Sequence, residues 1–227
     1  MKKNLLALAF LVGLLTCCKS EDAPIKPVKP TDPGSINKEY MSRAETTFAN
    51  IFKYYWSDKV RMMFGSYPNT LGTPQEPSSP DYDSHAYLWG LGSVVSAFNA
   101  IVQNTDNVDF RMTYESRLKE TLLKYYNTTK EPMCFGCFVN PHDQRLYDDA
   151  IWVGIDLADL YSKTKDSWYI DYAKSVWNFV LSGKDDELGG GVYWDENAKD
   201  SKNTCSNAPA VVLALKLYQI TNDAAYL

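Results

Sequence analysis

Two adjacent aspartates, Asp148 and Asp149, are the residues whose type and spacing most directly suggest chemistry. Because like charges oppose each other's ionisation, one carboxyl of such a pair can stay protonated as a general acid while the other is ionised. Adjacent residues at a bend can bring their carboxyl groups to about 5–5.5 Å, the separation at which one carboxylate can attack an anomeric carbon. An inverting arrangement needs about 6.5–9.5 Å, so the spacing favours glycoside cleavage with retention.

A helix cap is the alternative interpretation of the same pair. Either aspartate can accept hydrogen bonds from free backbone amides and complement the positive end of a helix dipole. Trp152 follows three and four residues later, so its ring shares a helix face with both carboxyl groups. A ring beside two carboxylates is typical of a sugar subsite, which favours catalysis over capping.

The elements that must position this pair are helices. After the pair, apolar residues recur at helical spacing and predict a mostly buried helix over 147–161. No strand set alternates with the helical segments, so the sequence predicts an all-α fold. The other predicted helices cover 36–56, 83–101, 109–126 and 167–181, with a last one starting near Ser206 and Asn207, which can cap it, and Pro209 at an early helical position.

A weak internal repeat indicates how these helices are arranged. The segment 160–169 is similar to the segment 217–226, which lies 57 positions later. Each segment contains Thr-x-Asp, a sequence that can cap the start of the following helix. Asn104, Thr105 and Asp106 form a candidate earlier copy. The pattern predicts stacked helical hairpins, of which a closed ring usually needs about six and this chain supplies roughly three and a half. We therefore expect an incomplete ring.

The amino end predicts export and a membrane anchor. A basic start and a short apolar run predict a signal peptide over 1–17, and the prolines of 18–36 predict an extended tether. The signal ends in a sequence that resembles a bacterial lipobox, with Cys18 as the favoured lipidated residue and Cys17 as the less favoured one. A soluble secreted protein is the alternative. Glu21 and Asp22 resemble the export signals of Bacteroides surface lipoproteins, which implies a cell-surface location on the outer membrane.

Composition excludes some partners and ligands. The net charge of -5 and the lack of a long basic run argue against a nucleic-acid partner. Cys134 and Cys137 form a Cys-x-x-Cys, which would need two further ligands to bind zinc. His85 and His142 are not spaced as a pair of metal ligands, so we expect no metal and no cofactor. A local disulfide and a pair of reduced cysteines both remain open. Three glycines at 189–191 predict a tight turn, since no P-loop lysine pattern accompanies them.

Four segments in order resemble family 76 of the glycoside hydrolases across 40–227. They are Tyr-Leu-Trp-Gly at 87–90, Tyr-Asp-Asp-Ala-Ile-Trp at 147–152, Gly-Gly-Gly-Val-Tyr-Trp at 189–194 and Lys-Asn-Thr-Cys-Ser-Asn-Ala-Pro at 202–209. The resemblance implies an (α/α)6 toroid and, for many members, retaining endo-α-1,6-mannanase activity on mannan. It also implies that Asp148 is the nucleophile and Asp149 the general acid/base, while family members continue for several more helices.

The predicted substrate contacts surround this pair. Aromatic rings stack on sugar faces, although core packing is the alternative for each of them. The stacking candidates are Trp89, Tyr147, Trp152, Tyr193 and Trp194, and the candidates for hydroxyl contacts are Asn203 and Asn207. A protein that binds surface glycans without cutting them, and a toroid transglycosidase acting on mannose-containing glycans, are the alternative functions.

Overall fold

The computed structural model describes residues 38–68, 85–139 and 144–227. The all-α prediction is confirmed, because six α-helices dominate these ranges and the strands form only two short antiparallel hairpins. The helices are α1 Lys38–Tyr55, α2 Leu88–Asn104, α3 Val108–Tyr125, α4 Tyr147–Thr164, α5 Ser167–Ser182 and α6 Thr204–Thr221. The strands are β1 Trp56–Ser57 paired with β2 Met62–Met63, and β3 Tyr126–Asn127 paired with β4 Cys134–Phe135.

The predicted signal peptide over 1–17, the tether over 18–36 and the lipidation site at Cys18 lie outside the described residues. Within the described ranges, none of the helices combines the length and the apolar character needed to span a bilayer.

The connections between helices differ at the two ends of the hairpins. Residues 105–107 and 165–166 connect α2 to α3 and α4 to α5 at one end, which we call the turn end. The much longer connections 126–146 and 183–203 lie at the other end, where α2, α4 and α6 begin, and we call it the loop end. The chain therefore reverses by short local turns at one end and has room for a site at the other.

The turn end is built on the repeated capping motif. The Thr164 hydroxyl accepts from the backbone N–H of Asp166 at 3.3 Å, and the Asp166 carboxylate accepts from the N–H of Trp168 at 3.0 Å. Between them Lys165 takes a left-handed conformation with φ 62°, which ends α4. Asp166 is thus the N-cap of α5 and turns the chain directly into the next helix.

The second copy repeats this geometry, which confirms the predicted repeat. Thr221 accepts from the N–H of Asp223 at 3.2 Å, and Asp223 accepts from the N–H of Ala225 at 2.9 Å. At the earlier copy, Thr105 accepts from the N–H of Asn107 at 3.1 Å, and the Asn107 side chain caps α3. The motif therefore occurs at three turns, with asparagine replacing aspartate in the first.

Helix α4 is the centre of the packing, since it contacts α2, α5 and α6. Gly154 allows the close approach of α5, because a Cβ there would lie only 2.9 Å from Cγ1 of Val176. Polar contacts set the position of α4 along its neighbours. Asn99 of α2 donates to the buried Asp156 at 2.8 Å, and Lys216 of α6 donates to Asp159 at 2.6 Å.

Two predicted helix starts were wrong. Helix α2 begins at Leu88 and not near Asp83, because the backbone of His85 pairs with Phe64 in a β-bridge before the helix can start. Helix α6 begins at Thr204 with Asn203 as its N-cap residue, so Ser206 does not cap it and Pro209 lies beyond its first turn. The predicted cap at Asn207 failed because that side chain binds another loop, as described below.

Candidate active site

The aspartate pair lies in the first turn of α4 at the loop end. The N-cap residue of this helix is Leu146, and no side-chain hydrogen bond caps it. The capping interpretation of Asp148 and Asp149 is therefore wrong. Both residues are buried, each with 8% of its surface exposed, and Oδ1 of Asp148 has no hydrogen-bond partner among the described residues. Two nearly buried carboxyl groups without a cation partner are costly to ionise together.

Asp149 is a member of the pair whose pKa is raised above the ordinary range of an aspartate. Burial, followed by the charge of Asp148, raises its pKa to about 6, and an interaction with the Cys137 thiol opposes this increase. A carboxyl with such a pKa is largely protonated in mildly acidic solution, as a general acid must be. Burial, followed by the interaction with Asp148, raises the pKa of the Cys205 thiol in α6.

A short backbone pairing fixes the entrance to α4. Leu146 and Asp195 form an antiparallel bridge, the N–H of Tyr147 donates to the carbonyl of Trp194 at 3.0 Å, and the N–H of Glu196 donates to the carbonyl of Arg145 at 3.2 Å. The segment 194–196 therefore lies directly beside the residues that precede the aspartate pair.

Arg145 anchors this pairing and was missed in the sequence. The fully buried guanidinium forms a two-pronged ion pair with Glu196, in which Nε donates to Oε2 at 2.8 Å. Its Nη1 donates to the carbonyl oxygens of Pro132 at 2.7 Å and Lys130 at 3.3 Å. The sequence did contain a signal for this ion pair, because Arg145 lies two positions before a buried apolar helix. An unpaired charge is unfavourable there, so a buried partner could have been expected.

Lys202 holds the glycine-containing loop and was also missed as a site residue. Its ammonium donates to the carbonyl oxygens of Asp185 at 2.9 Å and Glu187 at 2.7 Å, and to the carboxylate of Asp185 at 2.5 Å. The same ammonium lies 4.5 Å from the ring centroid of Tyr193. Lys202 therefore stabilises the conformation of this loop. The predicted tight turn at 189–191 is confirmed, because all three glycines have positive φ values.

Asn207 binds backbone and does not offer its amide to a ligand. Its Oδ1 accepts from the N–H of Val192 at 2.8 Å, and its Nδ2 donates to the carbonyls of Val192 and Asn203, each at 2.9 Å. A Cβ on Gly191 would lie 2.3 Å from this Oδ1, so the third glycine is needed for the contact. The predicted role of Asn207 as a hydroxyl partner does not agree with this geometry.

Two of the five predicted stacking rings are core residues. Tyr147 is 1% exposed and stacks on Phe179 with 4.3 Å between ring centroids, while a Cβ on Gly183 would lie 2.3 Å from its Cζ. Tyr193 is 3% exposed and is covered by Lys202 and Lys199. Neither ring can present a face to a sugar, so the stacking prediction was wrong for both.

The three tryptophans remain available for stacking at the loop end. Trp89 in the first turn of α2, Trp152 in α4 and Trp194 beside the α4 entrance are 57%, 43% and 36% exposed. Asn203, which precedes α6, is half-buried at the same end, and its side chain does not cap the helix. The structure thus brings these residues to the end of the molecule that carries the aspartate pair.

A match to a protein-family model shows which family the chain belongs to. The model described as glycosyl hydrolase family 76 matches residues 39–227, which is most of the chain. The chain belongs to glycosyl hydrolase family 76. A search of curated protein sequences gives no match.

Solved structures agree with the family 76 assignment. A family 76 mannosidase from Bacteroides thetaiotaomicron is 25% identical with a TM-score of 0.70, over 83% of this chain and 50% of that one. A family 76 enzyme from a bovine strain of the same species is 30% identical with a TM-score of 0.70, over 82% and 39%. The chain therefore spans about half the length of these relatives or less.

A third structure is similar in fold. It is an inactive variant of a Salegentibacter α-1,6-mannanase with two adjacent aspartates replaced, in complex with α-1,6-mannotetraose. It is 21% identical with a TM-score of 0.59, over 82% of this chain and 47% of that one.

The three cysteines among the described residues of this family 76 chain are free thiols. Cys134 and Cys137 are buried, and Cys205 is exposed, so of the two alternatives for the Cys-x-x-Cys the reduced pair is the one observed. His142 lies outside the described residues. A cavity of about 150 Å³ lined by Val102, Arg111 and Lys163 lies at the turn end, at the opposite end of α4 from the aspartate pair.

Proposed function

We propose that this family 76 chain hydrolyses α-1,6-mannosidic linkages in mannan. The observation that carries the proposal is the buried Asp148–Asp149 pair at the loop end, which forms no ion pair with a described residue and in which Asp149 has a raised pKa. The Salegentibacter mannanase supports it, because replacement of two adjacent aspartates gives the inactive variant named there. Exposed tryptophans at the same end supply faces for a sugar chain.

The two carboxyl groups have different roles in this mechanism. In the first step a carboxylate oxygen of Asp148 bonds to the anomeric carbon, while Asp149 gives its proton to the glycosidic oxygen and the C–O bond of the leaving sugar breaks. In the second step Asp149, now ionised, takes a proton from water, whose oxygen attacks the anomeric carbon and releases Asp148. Two inversions give overall retention, and Asp149 ends protonated as it began.

Substrate binding is assigned to the exposed residues of the loop end. Trp89, Trp152 and Trp194 can each stack on the apolar face of a mannose ring, and Asn203 can exchange hydrogen bonds with its hydroxyl groups. Tyr147, Tyr193 and Asn207 act instead through packing and backbone contacts. Alanine at an exposed tryptophan should raise KM, whereas alanine at Tyr147 should lower stability.

Glycan binding without cleavage is the second candidate function. The chain aligns with 50% and 39% of the two Bacteroides enzymes, so their full activity is not carried over to it. The exposed tryptophans can hold a glycan whether or not it is cut. A transglycosidase would use the same two aspartates and is distinguished by transfer to an added acceptor sugar.

Anchoring on the outer membrane completes the proposal. Removal of residues 1–17 would leave Cys18 as a lipidated first residue, and the prolines of 18–36 would hold the catalytic domain away from the membrane. Metabolic labelling with a radioactive fatty acid tests this. Cys18→Ala should abolish the label, and an equal label in this variant would contradict the anchor.

The activity is tested with the full chain and linear α-1,6-mannan. We expect release of short manno-oligosaccharides, with losses of about 10²–10⁴ in rate for Asp148→Ala and Asp149→Ala. Asp166→Ala, at the turn end, is the matched control and should retain turnover. No release by the parent, or unchanged rates in both variants, would reject hydrolysis, while binding without release would support the second candidate.

A further inference from the structure

The buried ion pair of Arg145 and Glu196 lies between two parts of the proposed site that different segments supply. Arg145 is in the segment that enters α4, the helix with the aspartate pair, and Glu196 is two residues after Trp194. Nε of Arg145 donates to Oε2 of Glu196 at 2.8 Å, and Nη2 of the same fully buried guanidinium donates to Oε1. The ion pair therefore holds the two segments together from within the protein.

On the Glu196 side, the constraint continues along the backbone to Trp194. The N–H of Glu196 donates to the carbonyl of Arg145 at 3.2 Å, and the carbonyl of Trp194 accepts from the N–H of Tyr147 at 3.0 Å. The N–H of Trp194 in turn donates to the carbonyl of Ser201 at 3.2 Å. Both backbone polar groups of Trp194 are thus bonded, although the residue is exposed. Trp194 therefore combines a fixed backbone with a ring that a sugar can reach.

On the Arg145 side, aromatic packing leads to the helix with the aspartate pair. The guanidinium carbon of Arg145 lies 4.7 Å from the ring centroid of Phe179, and Phe179 stacks on Tyr147 with 4.3 Å between ring centroids. Tyr147 directly precedes Asp148 in the first turn of α4. The ion pair therefore connects this first turn with the segment 194–196.

We propose that the Arg145–Glu196 ion pair positions the Trp194 ring relative to the aspartate pair, so that a mannose unit stacked on Trp194 places its glycosidic bond at the two carboxyl groups. The inference rests on the proposed function. A two-pronged arginine–carboxylate pair suits this role, because its parallel hydrogen bonds fix direction as well as distance. A displacement of about 1 Å in a bound substrate can lower the rate about a hundredfold.

Glu196 has a second cation partner, which makes it the better residue to change. Nζ of Lys130 lies 3.1 Å from Oε2 of Glu196, but an ammonium supplies a single point of contact. Glu196→Gln keeps the shape of the side chain and one oxygen acceptor, while its amide nitrogen cannot accept from the guanidinium. Arg145 retains its hydrogen bond to the carbonyl of Pro132 at 2.7 Å in this variant. The change therefore loosens the ion pair without removing the buried cation.

The test is a double-mutant cycle between Glu196 and Trp194. Titration calorimetry measures the Kd for α-1,6-mannotetraose in full-length chains that also carry Asp149→Asn to prevent turnover. We expect Glu196→Gln to weaken binding about tenfold when Trp194 is present, and less than about twofold in a Trp194→Ala chain, because the ion pair acts through that ring. Asp159→Asn is the matched control. It makes the same acid-to-amide change at the ion pair with Lys216 and should weaken binding less than about twofold.

A second measurement needs no ligand. In chains labelled with 5-fluorotryptophan, the ¹⁹F resonance of Trp194, assigned with Trp194→Phe, should shift in Glu196→Gln and stay in place in Asp159→Asn. An unmoved resonance, or equal losses of binding with and without the Trp194 ring, would overturn the inference. If Glu196→Gln does not fold, Arg145→Lys supplies the loosened ion pair.

Failure of the proposed function gives a different result. A parent chain that neither binds mannotetraose nor hydrolyses mannan would reject that function. The ¹⁹F resonance would still decide whether the ion pair positions the Trp194 ring.

Discussion

The two ends of the helical hairpins use aspartate in opposite ways. At the turn end, Asp166 caps α5 and accepts a hydrogen bond from Lys119 at 2.6 Å. The hydrogen bond from Lys119 is the main reason that the pKa of Asp166 is lowered. At the loop end, Asp149 lies inside the first turn of α4, and burial raises its pKa to about 6.

This difference separates a stabilising charge from a functional one. A carboxylate that caps a helix and meets a cation is more stable in the folded protein than in the unfolded chain. A buried carboxyl beside a second carboxyl is less stable when ionised, and the surrounding fold must compensate for it. The turn end repeats one satisfied motif at three turns, whereas the loop end depends on contacts distant in sequence, such as those of Arg145 and Lys202.

The strongest way to break the loop end is to remove its buried cation. Arg145→Met should lower the free energy of unfolding by about 3–5 kcal/mol, because it leaves Glu196 without its main partner and two backbone carbonyls without donors. Urea denaturation measures the loss. Arg43→Met removes an exposed partner of Glu39 on α1 and should cost less than about 1 kcal/mol. Equal losses for the two variants would contradict a special role of Arg145.

A smaller effect, of opposite sign, is expected at Asp149. Its pKa in the folded protein, about 6, lies above the unfolded value of 3.8, so the stability of the parent falls as pH rises between these values. Asparagine does not ionise, so the stability of Asp149→Asn does not fall over this pH range. The variant should be more stable than the parent at pH 7 by on the order of 1–3 kcal/mol. Denaturation at pH 4 and pH 7 measures this gain, which should nearly vanish at pH 4. A variant less stable than the parent at pH 7 would contradict the raised pKa.

The smallest effect is expected at the turn end, and it has the reverse sign. Asp166→Ala removes the cap of α5 and should lower stability at pH 7 by about 1 kcal/mol. Because the pKa of Asp166 is lowered by folding, its contribution is present above pH 3.8 and is lost as pH falls through the folded pKa. The difference in melting temperature between Asp166→Ala and the parent should therefore decrease as the pH is lowered from 7 to 3. A constant difference would show that ionisation of Asp166 does not contribute.

The sequence predicted what depends on local pattern. Helical spacing located the six helices of the described residues, and Thr-x-Asp located the turns, because both are set by residues a few positions apart. The start of α6 was misplaced because the Asn207 side chain is bound by Val192, 15 positions away. The burial of Tyr147 and the ion pair of Arg145 also depend on partners that only the folded chain brings close, Phe179 and Glu196. Adjacent carboxylates suggested their chemistry, whereas the backbone pairing of 194–196 beside them was not foreseen.

Covalent trapping tests the catalytic role of the aspartate pair most directly. A 2-deoxy-2-fluoro-mannosyl fluoride slows both steps but provides a good leaving group, so attack by Asp148 should release fluoride and leave a glycosyl ester on that residue. The account predicts that mass spectrometry of the digested chain finds the fluoromannosyl mass on the peptide containing Asp148, and that Asp148→Asn abolishes it. Turnover of mannan with no adduct, and with inverted configuration in the first product, would contradict it.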